Sequence, residues 1–193
     1  MRILGIDPGT RMAGYGIIEI NSLGSLSAIA AGAWDLNANK ELSSRLATLA
    51  IEFRRVVEVY SPTHLCVELS FLAENPRTAL YLGHARGVIL SEAHQSGLKI
   101  SEISATSAKK IISGNGRCDK TSIAKIMSSL LGFQLNILPH DATDALAIAC
   151  ADAMRMKESC FTSSPVGLEN SVNNKIIAEW KKSKRVKKGY QFP

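Results

Sequence analysis

Residues 1–10 read MRILGIDPGT, a short apolar segment that ends in an acid and a turn. This pattern predicts a buried central strand over residues 2–6, with Asp7 at its end and Pro8-Gly9 supplying the turn. A carboxylate at the end of a central strand is costly unless it is paired or binds a metal. Taken alone, Asp7 is explained equally well as a turn-forming residue before Pro-Gly.

The pattern of the following residues predicts an α/β fold. Residues 14–20 and 26–34 are predicted strands, and their short connections favour antiparallel pairing. From residue 41 onward, segments with helical periodicity alternate with two further predicted strands, at residues 63–68 and 99–103. Three strands followed by alternating helix and strand predict a five-stranded mixed sheet flanked by helices.

Charge and composition divide the chain into two parts. Residues 1–157 carry 16 Lys and Arg against 14 Asp and Glu, whereas residues 158–193 carry seven against three. We expect one domain over residues 1–157 and a polar linker with a basic, flexible tail over residues 158–193. A solvated end and a DNA-contacting arm are both open interpretations of this tail.

The location predicted from the sequence is the cytoplasm. Asp7 stands where a signal peptide would need its apolar stretch. No apolar run approaches the roughly 18 residues that a membrane-spanning helix requires.

A second acid, Glu68, also follows a predicted apolar strand. If the first and fourth strands are neighbours, Asp7 and Glu68 converge at one edge of the sheet. Two buried carboxylates side by side repel one another, and their pKa values rise unless a cation lies between them. The pair therefore favours a metal site.

Asp141 and Asp144 lie three residues apart at the start of a predicted alanine-rich helix. This spacing puts both on one face, roughly 5–6 Å apart at Cβ. Helix capping by Asp141 explains the pair as well. The combination of two strand acids with two helix acids nevertheless favours Mg²⁺ or Mn²⁺, which prefer oxygen ligands. Two such ions about 4 Å apart can hydrolyse a phosphodiester.

At this point the sequence resembles the RuvC family of Holliday junction resolvases, which have a ribonuclease H-like fold. The resemblance covers residues 1 to about 155. The matching blocks are residues 5–10 (GIDPGT) with Gly14-Tyr15-Gly16, Glu68 with Phe71 and Asn75, residues 82–87 (LGHARG), the basic loop at residues 114–120, and residues 141–147 (DATDALA).

The resemblance implies a catalytic, metal-binding set of Asp7, Glu68, Asp141 and Asp144. It implies a crossover junction endodeoxyribonuclease that resolves four-way DNA junctions by paired symmetric nicks, in DNA recombination and repair. Two Mg²⁺ per active site are expected, with Mn²⁺ as a substitute. The expected partners are a second copy of the chain and a branch-migration helicase complex of the RuvAB type.

The resemblance also implies DNA-binding residues, which are Phe71, Lys109, Arg117 and Lys120. Phe71 would stack on a base near the crossover, although a core phenylalanine is the alternative. The lysines could equally lie on a solvated helix face. The predicted helix over residues 76–96 would contribute to the dimer interface or serve only the monomer core.

Two positions depart from the family pattern. Leu69 stands where glutamine is usual, and Cys118 where a small residue is usual. His140 could assist proton transfer or be a plain loop histidine.

Three other functions share features of this sequence pattern. An actin-like phosphotransferase shares the Asp7-Pro8-Gly9-Thr10 pattern, but it needs two domains to enclose a nucleotide. A related nuclease acting on RNA or other DNA structures would have the same acids. A non-enzymatic junction-binding module would lack the metal chemistry.

Overall fold

The computed structural model describes residues 1–69, 76–132, 134–161 and 190–191. The strands are β1 (Arg2–Asp7), β2 (Met12–Ile20), β3 (Leu26–Asp35), β4 (His64–Glu68), β5 (Lys99–Ile103) and β6 (Tyr190–Gln191). The helices are α1 (Leu42–Tyr60), α2 (Pro76–Gln95), α3 (Ala105–Ser113), α4 (Lys120–Leu131) and α5 (His140–Phe161), with a short 3₁₀ helix at Leu135–Ile137. The five predicted strands and their mixed sheet are confirmed.

The strands form one sheet in the order β5-β4-β1-β2-β3-β6. β1, β2 and β3 pair antiparallel, whereas β4 pairs parallel with both β1 and β5. β1 is therefore central, as its apolar sequence predicts. β6 adds two residues at the edge of β3, and α5 runs past residue 157, to Phe161.

Side chains alternate along the strands, so they pack into two apolar layers, one on each face of the sheet. Leu4 and Ile6 of β1 face the layer of α1 and α2, whereas Ile3 belongs to the layer of α3, α4 and α5. Because strand side chains alternate between faces, Asp7 lies on the same face as Ile3. The strand thus directs its terminal carboxylate toward α5.

Glycines in β1 and β2 allow α5 to lie directly on the sheet. A Cβ at Gly5 would lie 2.7 Å from the Ala149 amide nitrogen, and one at Gly16 would lie 2.7 Å from that of Leu146. A Cβ at Gly14 would collide with the Asp141 carbonyl oxygen. Real Cβ atoms do not approach other atoms this closely, so the close approach of the helix backbone requires glycine at these positions.

The two residues that cap α4 are of types that favour helix ends. Asp119 accepts a hydrogen bond from the Ser122 amide at 2.8 Å, and Gly132 ends the helix with φ of 74°. These caps fix the first helical position at Lys120, whose side chain enters the site described below.

Helix α2 contributes to the monomer core through fully buried Ile89, while Leu80 remains 59% exposed. Across the described residues, no helix is both long enough and apolar enough to cross a bilayer.

We predict that Gly16→Ala destabilises the fold, because the new methyl group would meet the backbone of α5. Overpacking of this kind costs about 1–3 kcal/mol in the free energy of unfolding, measured by urea denaturation. Gly83→Ala is the control, since a Cβ there meets nothing within 4 Å, and alanine should stabilise helix α2 by up to about 1 kcal/mol. Equal effects of the two substitutions would contradict the packing argument.

Candidate active site

Asp7 and Glu68 meet at the ends of two neighbouring strands. Ile6 pairs with Val67 in the parallel β1–β4 register, so the next residues of the two strands lie side by side. The two carboxyl groups share a hydrogen bond. Burial is the main cause that raises the pKa of Asp7 to about 8, and the negative charges of Glu68, Asp144 and Asp141 contribute to the same shift, in that order of importance.

The first turn of α5 brings Asp141 and Asp144 to the same place. The helix begins at His140, so Asp141 lies inside the first turn and is not the cap. Both carboxylates act on the pKa of Asp7. The three other acids predicted from the sequence are therefore within electrostatic reach of Asp7.

Lys120 is the counter-charge of this cluster. Its Nζ lies 2.6 Å from Oδ2 of Asp144, with the two side chains 69% and 35% exposed. The hydrogen bond to Asp144 is the main cause that raises the pKa of Lys120, so the ammonium stays charged. Ion pairs this exposed contribute only about 0–1 kcal/mol to stability, and the pair can therefore open at little cost.

The donor set suits a hard cation. Within residues 1–69, 76–132 and 134–161, no group of three or more His, Cys, Asp or Glu side chains forms a preassembled metal cage. The four acids instead supply only oxygen donors, which Mg²⁺ and Mn²⁺ prefer. A cation would also relieve the repulsion that raises the pKa of Asp7.

Arg86 supports the end of β4, a role that sequence reasoning missed. Its Nη1 donates to the Glu68 carbonyl oxygen at 3.3 Å, and its Nη2 lies 2.5 Å from Oε1 of Glu102. The guanidinium thus ties the backbone of Glu68 to β5. Its position in the LGHARG block was the only available signal.

An apolar cavity of about 380 Å³ opens beside the acids, between α3, α4 and α5. Glu68 and Asp144 line it together with Lys109, Lys120 and His140. Two of the predicted DNA-binding residues are thus at the site.

Of the other two predicted DNA-binding residues, Arg117 falls within the described part of the chain. Arg117 is exposed in the loop between α3 and α4, where its amide donates to Asn115 Oδ1 at 3.0 Å. Phe71 falls in residues 70–75, outside the described residues.

Leu69 and Cys118, the two residues that depart from the family pattern, both contact neighbouring parts of the fold. The Leu69 amide donates to the Ile103 carbonyl at 2.8 Å, which extends the β4–β5 pairing past Glu68. Cys118 is partly buried against the apolar layer of α3, α4 and α5, where a small apolar side chain fits.

Comparisons with known proteins agree with this geometry. The sheet order and the acids at the ends of β1 and β4 define a ribonuclease H-like nuclease fold. A family model described as crossover junction endodeoxyribonuclease RuvC matches residues 3–152. The chain therefore belongs to the RuvC family, whose members are metal-dependent nucleases.

Individual relatives match most of the chain. The crossover junction endodeoxyribonuclease RuvC of Heliobacterium modesticaldum is 40% identical over 162 residues, covering 83% of this chain and 99% of the relative. That of Bdellovibrio bacteriovorus is 36% identical over 166 residues, covering 86% and 98%. The Thermus thermophilus RuvC structure aligns with a TM-score of 0.76 at 23% identity, covering 82% of this chain and 97% of the other, which supports the fold.

We predict that Asp7→Asn stabilises the metal-free protein increasingly as the pH rises from 4 to 8. The folded chain holds the Asp7 proton up to a pKa of about 8, whereas the unfolded chain releases it near pH 4. Rising pH therefore favours unfolding of the parent, and asparagine removes this effect. We expect a gain of about 0.5–2 kcal/mol near pH 8, measured by urea denaturation in EDTA.

The control is Glu58→Gln, which removes an exposed acid on α1. It should leave the pH profile unchanged. A gain for Asp7→Asn that is the same at pH 5 and pH 8 would contradict the assigned burial and crowding.

Proposed function

We propose that this protein is a metal-dependent endonuclease that resolves four-way DNA junctions by paired symmetric nicks, in DNA recombination and repair. The single observation that carries the proposal is the crowding of Glu68, Asp141 and Asp144 around the half-buried Asp7 carboxyl. Family membership supports it, and the solved relative from T. thermophilus has been described in complex with a Holliday junction substrate.

We assign the metal-binding and catalytic roles to Asp7, Glu68, Asp141 and Asp144. The proposed metal is Mg²⁺, two ions per site, with Mn²⁺ as a substitute. When bound, these ions would activate a water and stabilise the leaving oxygen of the phosphodiester. The all-oxygen donor set and the accumulated negative charge support this choice.

The protein's own side chains prepare the site. Asp7 holds a proton at neutral pH and shares a hydrogen bond with Glu68, so it must lose that proton before it can act as a ligand. The Lys120 side chain is 69% exposed, so its ion pair with Asp144 is weak. Its ammonium can therefore turn to a DNA phosphate that enters the site.

Lys109, Arg117 and Phe71 complete the proposed DNA interface. Lys109 lines the cavity beside the acids, which suits a contact to a phosphate next to the one that is cut. Arg117 is exposed on the loop before α4. Phe71 is proposed to stack on a base near the crossover, an interaction worth about 1–3 kcal/mol per base.

Two strands of like sequence must be cut to resolve a junction symmetrically, so the proposal includes a homodimer with one site in each protomer. The exposed Leu80 of α2 supports this helix as part of the interface. A branch-migration helicase complex is the proposed further partner, and the cytoplasm the proposed location.

We predict that Asp7→Asn abolishes nicking and leaves junction binding intact. The loss of a metal ligand should remove several kcal/mol of transition-state stabilisation, which lowers the nicking rate at least about a thousandfold. A synthetic four-way junction with labelled strands gives the rate with Mg²⁺, and a gel-shift assay in EDTA gives the binding. Glu58→Gln should match the parent in both assays.

The same assay separates the alternatives. Nicking by Asp7→Asn at the parental rate would refute the assigned chemistry, and binding without any nicking by the parent would indicate a junction-binding module. Equal cutting of four-way, forked and RNA substrates would refute junction specificity.

We predict that Lys109→Ala and Arg117→Ala each weaken junction binding by an amount that depends on salt. Loss of one phosphate contact lowers the slope of log affinity against log salt concentration by about 1. Lys99→Ala is the control, because Lys99 starts β5 at the end opposite Glu68. Unchanged slopes for Lys109→Ala and Arg117→Ala would place the DNA path elsewhere.

A further inference from the structure

Asp152 is a fully buried acid that the proposed chemistry does not use. Its side chain is 0% exposed on the inner face of α5. Ser101 Oγ donates a hydrogen bond to Asp152 Oδ2 at 2.9 Å. Arg155 Nη2 donates to Asp152 Oδ1 at 2.5 Å from the solvent side.

The Ser101 hydroxyl lies where three elements of the fold meet. Ser101 lies on β5 and pairs with Cys66 on β4, while Asp152 lies on α5. The hydroxyl is also 3.3 Å from the Leu65 carbonyl oxygen. Because a hydroxyl has one proton to donate, its hydrogen bond goes to the nearer acceptor, which is the Asp152 carboxylate.

The neighbouring thiol belongs to the same cluster. Burial is the main cause that raises the pKa of Cys66 to about 12, and hydrogen bonds to Ser101 and Asp152 also act on it. The thiol therefore keeps its proton. It lies two residues before Glu68 on the same face of β4.

This cluster is not needed to fill the core. Replacing a buried ion pair by apolar side chains of similar volume is often neutral or stabilising. Elsewhere the inner face of α5 is alanine-rich, as at Ala145 and Ala149. The close packing on the strand glycines sets the distance of the helix from the sheet. A buried hydrogen bond to a carboxylate is directional, so it adds a constraint on the rotation and the axial position of the helix.

We propose that the Ser101–Asp152 hydrogen bond is a positioning device for the reaction, which sets α5 against β4 and thereby places Asp144 relative to Glu68. Asp152 follows Asp144 by eight residues on one helix, and Ser101 is paired two residues before Glu68. A small rotation or shift of α5 at Asp152 is therefore carried to the first turn. The inference rests on the proposed metal-binding role of these acids.

The test compares Ser101→Ala with a buried carboxylate in the other layer. Glu92 on α2 accepts two hydrogen bonds from Arg54 on α1, both at 2.6 Å, and these two helices pack on the opposite face of the sheet from α5. Glu92→Gln is therefore a matched control for loss of stability alone. Ser101→Thr keeps the hydroxyl and serves as the conservative rescue.

The main readout is Mn²⁺ affinity of the full chain without DNA, measured by calorimetric titration, alongside melting temperature and junction binding in EDTA. Ser101→Ala is expected to weaken Mn²⁺ binding about tenfold, the lower end of what the loss of an outer-shell partner costs. Junction binding in EDTA should be unchanged, and Ser101→Thr should restore the metal affinity. Glu92→Gln should lower the melting temperature without changing the metal affinity.

Parental Mn²⁺ affinity in Ser101→Ala, with only the melting temperature lowered, would overturn the inference. If Ser101→Ala does not fold, Ser101→Cys keeps the volume and weakens the donor. An affinity about threefold lower supports the inference, and an unchanged one overturns it. Failure of the parent to nick junctions would instead refute the proposed function. The two failures can be told apart, because the Mn²⁺ titrations involve neither DNA nor cleavage.

Discussion

Helix α5 lies on β1 and β2 at a distance that only glycine in the strands allows. At Gly5, Gly14 and Gly16 a methyl group would enter the backbone of the helix. The helix has alanine at positions 145 and 149, and these small side chains keep the contacting surface of the helix flat. This contact brings the first turn of α5 over the end of β1, and the acids of the site depend on it.

The packing has an electrostatic consequence. It places Asp141 and Asp144 close to the half-buried Asp7–Glu68 pair. Burial first, then the charge of Glu68 and those of Asp144 and Asp141, raise the pKa of Asp7 to about 8. The cluster costs stability in the metal-free protein, and the exposed Lys120 offsets only a part of that cost. A site that is strained without a cation and relieved by one is what metal-dependent phosphodiester chemistry requires.

Much of this was predictable from the sequence. Alternation predicts all five main strands, and helical periodicity predicts helices between and after them. Asp119 and Gly132 are residue types that favour the two ends of α4. The short 3₁₀ helix at Leu135–Ile137 was missed because three residues show no periodicity. The pairing of β6 with β3 was missed because two residues carry no strand pattern of their own.

The supporting residues of the site were less predictable. The four acids were predicted from their places at strand ends and a helix start, whereas the Lys120–Asp144 pair joins residues 24 positions apart and depends on how α4 meets α5. Asp152 could have been noticed, because it continues the inner stripe of Ala145 and Ala149 along α5. Its partner Ser101 could not, since nothing in β5 indicates which residue faces that point of the helix.

The most direct measurement of the central claim is the anomalous scattering of Mn²⁺ in crystals of the protein. We expect manganese between Asp7, Glu68 and the first turn of α5, with carboxylate oxygens about 2.0–2.3 Å from the metal. Lys120 should then be displaced from Asp144. Manganese bound elsewhere, with Lys120 still paired to Asp144, would contradict it.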